Sequence, residues 1–256
     1  MWANTRLVVF TAISAALYAA ILIPFKVLPI IPGVTEFRPA NAVPVVCSFL
    51  FGPAAAWGSP IGNLIGDLFA GGIGPGDIFG FAGNLLYGLI PYRAWDALGG
   101  GDPMPRRTID WLRLAVVIFV ASAACALLIG WGLNLLGFMP FPVIANFILW
   151  NNFLVAVILA PLLLRVIYPR VKAGRLTYRH LLTARKPRSV VLRSSLFAIG
   201  AAATIGGHVA GNLIHSGMWS PFWVDALQLE TANRAPEIGI GLLPFVLVAF
   251  VCFLAL

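Results

Sequence analysis

The sequence predicts an all-α fold, a polytopic bundle of membrane-spanning helices, on the strength of two observations. First, 60% of the 256 residues are hydrophobic and only 10% are charged, with a mean hydropathy of +0.93. A soluble domain of this size does not need so much apolar surface. Second, several uncharged runs approach the length of about 20 residues that the hydrocarbon core of a bilayer requires.

Eight segments are predicted to form the spans: 6–25, 40–52, 54–70, 77–95, 112–136, 143–167, 192–215 and 237–256. The first is interpreted as a span and not as a cleaved signal, because its apolar run continues past Ile23 without a small-residue cleavage site. The second and third are short and are joined by FGPAA. This turn predicts a tight helical hairpin, with Pro53 in the first turn of the new helix.

The basic residues predict the orientation. With these spans, fourteen of the seventeen Lys and Arg residues lie on one side of the membrane, and the other side holds Lys26, Arg38 and Arg234. Positively charged loops stay in the cytoplasm, so both termini are predicted to be cytoplasmic. The same bias explains the net charge of +8 without nucleic acid, because juxtamembrane Lys and Arg commonly meet anionic lipid.

Two outer segments place polar side chains at or near membrane depth, where an unpaired polar group is costly. In VTEFRPANAVP, Arg38 and Asn41 are candidate ligand contacts, although Arg38 could simply pair with Glu36. In GNLIGDLFAGGIGPGD, Asn63 and Asp67 are four residues apart and share a helix face. Asp67 is a candidate site residue, with a structural hydrogen bond to a neighbouring helix as the alternative.

Two further segments place amides inside predicted spans. In FGFAGNLLYGLIPYRAW, Asn84 and Tyr87 lie three residues apart on one face. In FPVIANFILWNNFLVA, the polar cluster consists of Asn146, Trp150, Asn151 and Asn152. Some of these amides could join helices, but an aromatic ring beside amides also suits a flat, polar ligand.

The sequence contains no arrangement that is typical of an enzyme. It has no Ser/His/Asp set, no paired-carboxylate motif and no G-x-x-x-x-G-K-[ST] phosphate loop, so we predict a protein that is not an enzyme and has no cofactor. The three cysteines have no metal-ligand spacing, and no metal is expected. His208 and His215 share a face with Asn212, and packing is favoured for them over a proton or metal role.

The first span carries small residues at a helical spacing, with Ala12, Ala16 and Ala20 four apart. In lipid, packing and not hydrophobicity drives helix association, and small residues let two backbones approach closely. These alanines therefore predict either a docking face for another protein or internal packing against a helix of the same chain.

Residues 4–168 resemble the S components of energy-coupling factor (ECF) transporters, the substrate-capture subunits of bacterial and archaeal vitamin uptake systems. The resemblance rests on the A-x-x-x-A pattern, on the first outer loop leading into FRPANAVP, and on six spans that contain the hairpin FLFGPAAAWG. The stretch VTEFRPANAVPVVCSFLFGPAAAWGSPIGNLIGDL is similar to the group for queuosine-precursor uptake. Residues 169–191 would then be a basic cytoplasmic connector, and 192–256 would add two spans to a core at 1–168.

The resemblance implies a multi-pass protein of a prokaryotic cell membrane with a substrate cavity open to the outside. Together with the polar candidates above, it assigns the substrate, a vitamin or queuosine precursor, to Arg38, Asn41, Asp67, Asn84, Tyr87, Asn146, Trp150 and Asn151. It also implies that Ala12, Ala16 and Ala20 dock onto a transmembrane T component, which couples to two cytoplasmic ATPases.

Two other functional classes stay open from the residues alone. One is a stand-alone transporter or channel with Asp67 as the coupling-ion or proton site. The other is a polytopic enzyme that acts on a lipid. The inner loops weaken the enzyme alternative, since they are almost entirely basic and offer Asp96, Asp102 and Asp110 as their carboxylates.

Overall fold

The computed structural model describes residues 2, 4–25, 29–31, 35–36, 38–182, 189–227 and 234–256, which form a bundle of α-helices. In chain order the elements are α1 (Thr5–Phe25), β1 (Pro29–Ile31), β2 (Thr35–Glu36), a 3₁₀ turn η1 (Pro39–Asn41), α2 (Ala42–Phe51), α3 (Pro53–Phe69), α4 (Asp77–Ala97), α5 (Thr108–Leu135), α6 (Phe141–Ala173), α7 (Tyr178–Leu181), α8 (Val190–Ser216), α9 (Phe222–Asp225) and α10 (Ala235–Ala255). The two short strands pair antiparallel and lie between α1 and η1 in the chain.

Each of the eight predicted segments is a helix, which confirms the all-helical fold. Among the described residues, five helices are long and apolar enough to cross a membrane: α1, α5, α6, α8 and α10. Helices α2 and α3 are too short, with 10 and 17 residues, and α4 has the length but not the hydropathy. The chain is therefore a multi-pass membrane protein.

The short helix α2 lies in the interior of the bundle. All ten of its residues are buried, between α1, α3, α4 and α6. A helix that is enclosed by protein has no lipid to match in length, because its neighbours supply the apolar surroundings. The predicted hairpin is confirmed: Gly52 adopts φ +54°, and Pro53 is the first residue of α3.

Helix α1 packs on α3 so closely that the two backbones are almost in contact. A Cβ atom on Gly58 would lie 2.5 Å from the Cβ of Ser14, and one on Gly62 would lie 2.7 Å from the carbonyl oxygen of Ala15. Ala15 and Ala19 are buried on this side of α1. Internal packing thus uses Ala15 and Ala19, together with the glycines of α3, and not the stripe of Ala12, Ala16 and Ala20.

The helices alternate in direction, so their connections collect at two ends of the bundle. The basic end contains the start of α1, the α2–α3 turn, the α4–α5 loop and the α6–α8 segment. Here the carboxylate of Asp96 pairs with Arg179 and accepts a hydrogen bond from Tyr178, and Lys172 lies 2.6 Å from Asp102. The opposite end, where α3 meets α4 and α5 meets α6, carries the cavity described below.

Helices α8 and α10 form one flank of the molecule. They pack on each other and on α4 and α5, and α8 also contacts α6. Arg93 of α4 donates hydrogen bonds to the carbonyl oxygens of Phe253 and Leu254 at 3.3 and 2.8 Å. Within the described part of the chain, neither helix makes extended contact with α1, so this pair leaves the outer face of α1 uncovered.

Candidate functional site

A cavity of about 360 Å³ lies at the end of the bundle opposite the basic end. Helices α3, α4, α5 and α6 surround it, with η1 and one side chain of α1 completing the wall. Five of the predicted substrate contacts line it: Arg38, Asn41, Asp67, Asn84 and Asn151. Four of these side chains come from four separate elements, and Arg38 directly precedes η1, so the fold brings together residues that lie more than 100 positions apart in sequence.

The floor of the cavity is a network of neutral amides and hydroxyls. The Tyr18 hydroxyl lies 3.2 Å from Oδ1 of Asn41 and 3.4 Å from Oδ1 of Asn84. Asn41 in turn donates from Nδ2 to Oδ1 of Asn152 at 2.7 Å. All four residues are buried. Because burying a polar group without a partner is costly, this mutual pairing fixes the side chains in one arrangement.

The paired amides keep hydrogen-bonding capacity for a ligand. Asn84 uses one N–H on the carbonyl oxygen of Gly80, at 2.9 Å, and one lone pair on the Tyr18 hydroxyl. An amide offers two N–H donors and two lone pairs. Among the described residues, the Asn84 side chain therefore has one N–H donor and at least one acceptor lone pair without a partner, and it is held in a fixed orientation at the cavity floor.

Charged groups lie toward the rim. Nδ2 of Asn63 donates to Asp67 at 2.6 Å, as their predicted common helix face allows. Asp77, in the first turn of α4, accepts a hydrogen bond from the backbone N–H of Gly74 at 2.6 Å and so fixes the glycine-rich loop. Arg38 lies on the same lining. The described rim thus combines two carboxylates and one guanidinium.

The remaining wall is apolar and comes from α5, α6 and the turn between them. Its members are Ile129, Leu133, Phe138, Ile144 and Ile148. A cavity with one apolar side and one amide side presents a contact surface for the face of a ring and hydrogen-bonding groups for its edge.

Three predicted contacts do not line the cavity. Tyr87 lies fully buried beneath it and donates to the backbone oxygen of Asn41 at 2.9 Å, so it supports the floor. Asn146 pairs with Asn212 of α8 at 2.9 Å. The Trp150 side chain is 49% exposed on the outer surface, against the rings of Phe119 and Phe153.

Tyr18, Asn63 and Asn152 also line the cavity, although none was among the predicted contacts. Asn63 shares a helix face with the predicted residue Asp67, and Asn152 directly follows the predicted residue Asn151. Their amide side chains inside predicted spans could have indicated a place in the cavity. Tyr18 is a single aromatic residue in the alanine-rich segment AISAALYAA. A hydroxyl two turns from the end of a span could have indicated it, because an intramembrane polar group needs a partner.

The histidines of α8 lie away from the cavity. His208 is buried, with Nε2 2.9 Å from the carbonyl oxygen of Ala123, and His215 is exposed. In the described ranges, no three His, Cys, Asp or Glu side chains are grouped so that they could hold a metal ion.

The stripe of Ala12, Ala16 and Ala20 lies on the outer surface of α1. Larger exposed side chains flank it, namely Val9, Ile13, Leu17 and Ile21. These four residues form a single row along the helix, so the methyl groups form a shallow groove beside this row of larger apolar side chains.

A family model for the QueT transporter matches residues 8–169. The chain belongs to the QueT transporter family. The matched range contains the whole cavity lining, from Tyr18 to Asn152, and ends before α8 begins. No curated protein and no solved structure matches the chain.

Membership of the QueT transporter family confirms the predicted resemblance and makes the chain a membrane transport protein and not an enzyme. The lipid-enzyme alternative is therefore wrong. The stand-alone transporter alternative belongs to the same functional class as this family.

Proposed function

We infer that the chain is the S component of an ECF-type importer and that its cavity binds a small polar ring compound, such as a queuosine precursor. The observation that carries this proposal is the two-sided lining of the cavity. Amides of Asn41, Asn84 and Asn152 form the floor, and apolar side chains form the remaining wall. A flat heterocycle has polar edges and apolar faces, so it matches both surfaces.

The cavity also favours a ligand that donates N–H groups. Oδ1 of Asn63 is buried and has no hydrogen-bond donor among the described residues. An unsatisfied buried acceptor is costly, and a ligand N–H would satisfy it. The Asp67 carboxylate, which accepts from the Asn63 amide, provides a second acceptor. A deazapurine base with an amino group beside a ring N–H offers two adjacent donors of this kind.

The partners follow from the same proposal. The exposed groove of Ala12, Ala16 and Ala20 suits a closely packed helix of a T component, because small residues permit short interhelical distances in lipid. The sequence has no phosphate loop of its own, so two cytoplasmic ATPases would supply the energy. Their motion would turn the loaded cavity toward the cytoplasm.

The proposed topology places the basic end in the cytoplasm of a prokaryotic cell, with both termini on that side. Residues 1–168 would form the six-helix S-component core, and 169–191 a cytoplasmic connector. Residues 192–256 would be two additional spans. The contacts of α8 and α10 with α4 and α5, and the Asn146–Asn212 pair, support an integral flank and not a separate domain.

The proposed binding is tested by calorimetric titration of the purified protein with queuosine precursors and a panel of vitamins, without ATP. We expect tight binding of one compound, and weaker binding by about tenfold or more in Asn84→Ala and Asn151→Ala, since each loses a hydrogen-bonding group in the cavity. Asn146→Ala is the matched control, because Asn146 is an amide of α6 outside the cavity. Absence of binding by well-folded protein across the panel would contradict the proposal.

The partner face is tested separately by co-purification with the T component and the ATPases. Ala16→Leu fills the groove and is expected to abolish the complex while ligand binding stays unchanged. Val251→Leu, an enlargement at an exposed position of α10 outside the groove, is the control. A complex that forms equally well with Ala16→Leu would show that the groove is not the docking face.

The second candidate is a stand-alone transporter, and the location of Asp67 in the cavity favours it. An intramembrane carboxylate can bind a coupling ion or a proton. Reconstitution of the chain alone in liposomes separates the two candidates. Ligand uptake without ATPases, lost in Asp67→Asn, would establish the second candidate and exclude the first.

A further inference from the structure

A second pocket, of about 520 Å³, lies at the basic end between the first turns of α5 and the last third of α6. It is lined by Met104, Pro105, Arg106, Trp111, Pro161, Leu162 and Arg165. It lies at the other end of the bundle from the substrate cavity and shares no residue with it.

The position of this pocket along the helices matches a membrane interface. Trp111 precedes the end of α5 at Leu135 by 24 residues, and Arg165 follows the start of α6 at Phe141 by the same number. At 1.5 Å per residue each lies about 36 Å from the cavity end, slightly more than the roughly 30 Å hydrocarbon core. The two residues are therefore at one level, where hydrocarbon gives way to headgroups.

The pocket is positively charged without an internal counterion. Arg106 and Arg165 are exposed, and in the described part of the chain neither forms a salt bridge with a carboxylate. The nearby carboxylate of Asp110 accepts hydrogen bonds from the backbone N–H groups of Arg106 and Arg107, and it lies 3.8 Å from the guanidinium of Arg113. Two guanidiniums are thus available for an anion.

The surroundings of the pocket are apolar on the membrane side. Leu112 and Leu162 are each 58% exposed, and Trp111 is 47% exposed. Tryptophan favours the level of the lipid headgroups, and exposed leucines on the hydrocarbon side of that level can contact acyl chains. An anion bound here would therefore carry hydrocarbon with it, which distinguishes a lipid from a free phosphate.

We propose that this pocket is a binding site for an anionic phospholipid, with Arg106 and Arg165 holding the phosphate. Arginine binds phosphate oxygens through a fork of N–H donors, and these charge-assisted hydrogen bonds are stronger than neutral ones. Basic pockets between transmembrane helices bind lipid headgroups in this way. The site would hold α5 and α6 together at the basic end through the bound lipid.

The proposal is tested by native mass spectrometry of the delipidated protein titrated with phosphatidylglycerol. We expect a stoichiometric lipid adduct, and binding weaker by about tenfold or more in the double variant Arg106→Gln/Arg165→Gln, because both charge-assisted contacts are lost. Arg170→Gln removes the same charge from an exposed position of α6 outside the pocket and should bind like the wild type. If the double variant does not fold, Arg165→Gln alone is tested. It is expected to weaken phosphatidylglycerol binding by a smaller but measurable factor.

Three outcomes would overturn the proposal. The first is equal binding of phosphatidylglycerol by the wild type and the Arg165→Gln or double variant. The second is equal affinity for phosphatidylglycerol and zwitterionic phosphatidylcholine. The third is complete displacement of the lipid by millimolar inorganic phosphate, which would assign the pocket to free phosphate.

Discussion

Neutral side chains join the helices around the cavity floor, whereas ions join them at the basic end. Around the cavity, Tyr18, Asn41 and Asn152 connect α1, η1 and α6 through hydrogen bonds among buried amides and a hydroxyl. At the basic end, Asp96 pairs with Arg179 of α7 and lies 3.8 Å from Arg193 of α8. The carboxylate of Asp96 is 29% exposed, while Asn41 is 2% exposed.

The difference follows from depth. Burying an ion costs far more free energy than burying a neutral amide, so amides are the polar groups that a membrane bundle can bury at the lowest cost. Ions at the interface keep part of their hydration, and each pair then contributes little. We therefore expect the two ends to respond differently to substitution, salt and pH.

The largest effect is expected for Asn152→Leu. The substitution removes the acceptor for Nδ2 of Asn41 and leaves a buried donor unpaired, which should lower the free energy of unfolding by about 1–3 kcal/mol. The measurement is thermal or denaturant unfolding in detergent. In the Asn41→Leu/Asn152→Leu double variant the loss should be smaller than the sum of the two single losses, because no orphaned partner remains. Strict additivity would show that the two amides do not depend on each other.

A smaller effect is expected for Asp96→Asn at the basic end. The pairs with Arg179 and Arg193 are partly exposed, so the free energy of unfolding should fall by no more than about 1 kcal/mol. Raising the salt concentration should shrink this difference, since exposed charges are screened. The Asn152→Leu difference should be insensitive to salt. If the loss of unfolding free energy in Asp96→Asn did not depend on salt, this ion pair would be as well shielded from water as the cavity floor.

The smallest effect concerns Asp102 in the α4–α5 loop. Burial raises the pKa of this carboxyl, but hydrogen bonds from Lys172 and Tyr168 outweigh burial and hold the pKa below its usual value of 3.8. A carboxyl whose pKa is lower in the folded than in the unfolded protein stabilises the folded protein at pH values above its unfolded pKa. This contribution is lost as the pH falls through the pKa of the folded protein. The wild type should therefore unfold at a slightly higher temperature than Asp102→Asn at pH 6, and the gap should close below about pH 4. A gap that is constant over this range would rule out Asp102 ionisation as its source.

The helices could be predicted from the sequence because lipid demands long apolar runs, but their ends could not. Helix α6 continues to Ala173, six residues past the predicted end at 167. Its last turns carry Arg170 and Lys172, so hydropathy marks where the membrane stops and not where the helix stops. Helix α5 likewise starts at Thr108, four residues before the predicted start.

The cavity could be predicted in part because polar groups within a membrane face one another. This reasoning located Arg38, Asn41, Asp67, Asn84 and Asn151. It could not decide which face of α6 turns inward. Asn146 and Trp150 are four residues apart on one face, while Asn152 points elsewhere around the helix. Only the packing of α8 against α6, which no local pattern encodes, assigns Asn146 to a helix–helix contact.

Helix α1 serves two surfaces that lie one helix diameter, about 10 Å, apart. Its inner side carries Tyr18 and abuts Gly58 and Gly62, while its outer side carries the methyl groups of Ala16 and Ala20. Enlarging a residue on the inner side would force the backbones of α1 and α3 apart, and enlarging one on the outer side would fill the groove. Larger side chains should therefore be tolerated along α1 only in the strip at Ile13, Leu17 and Ile21, which lies between these two surfaces, giving a substitution profile that repeats with every turn.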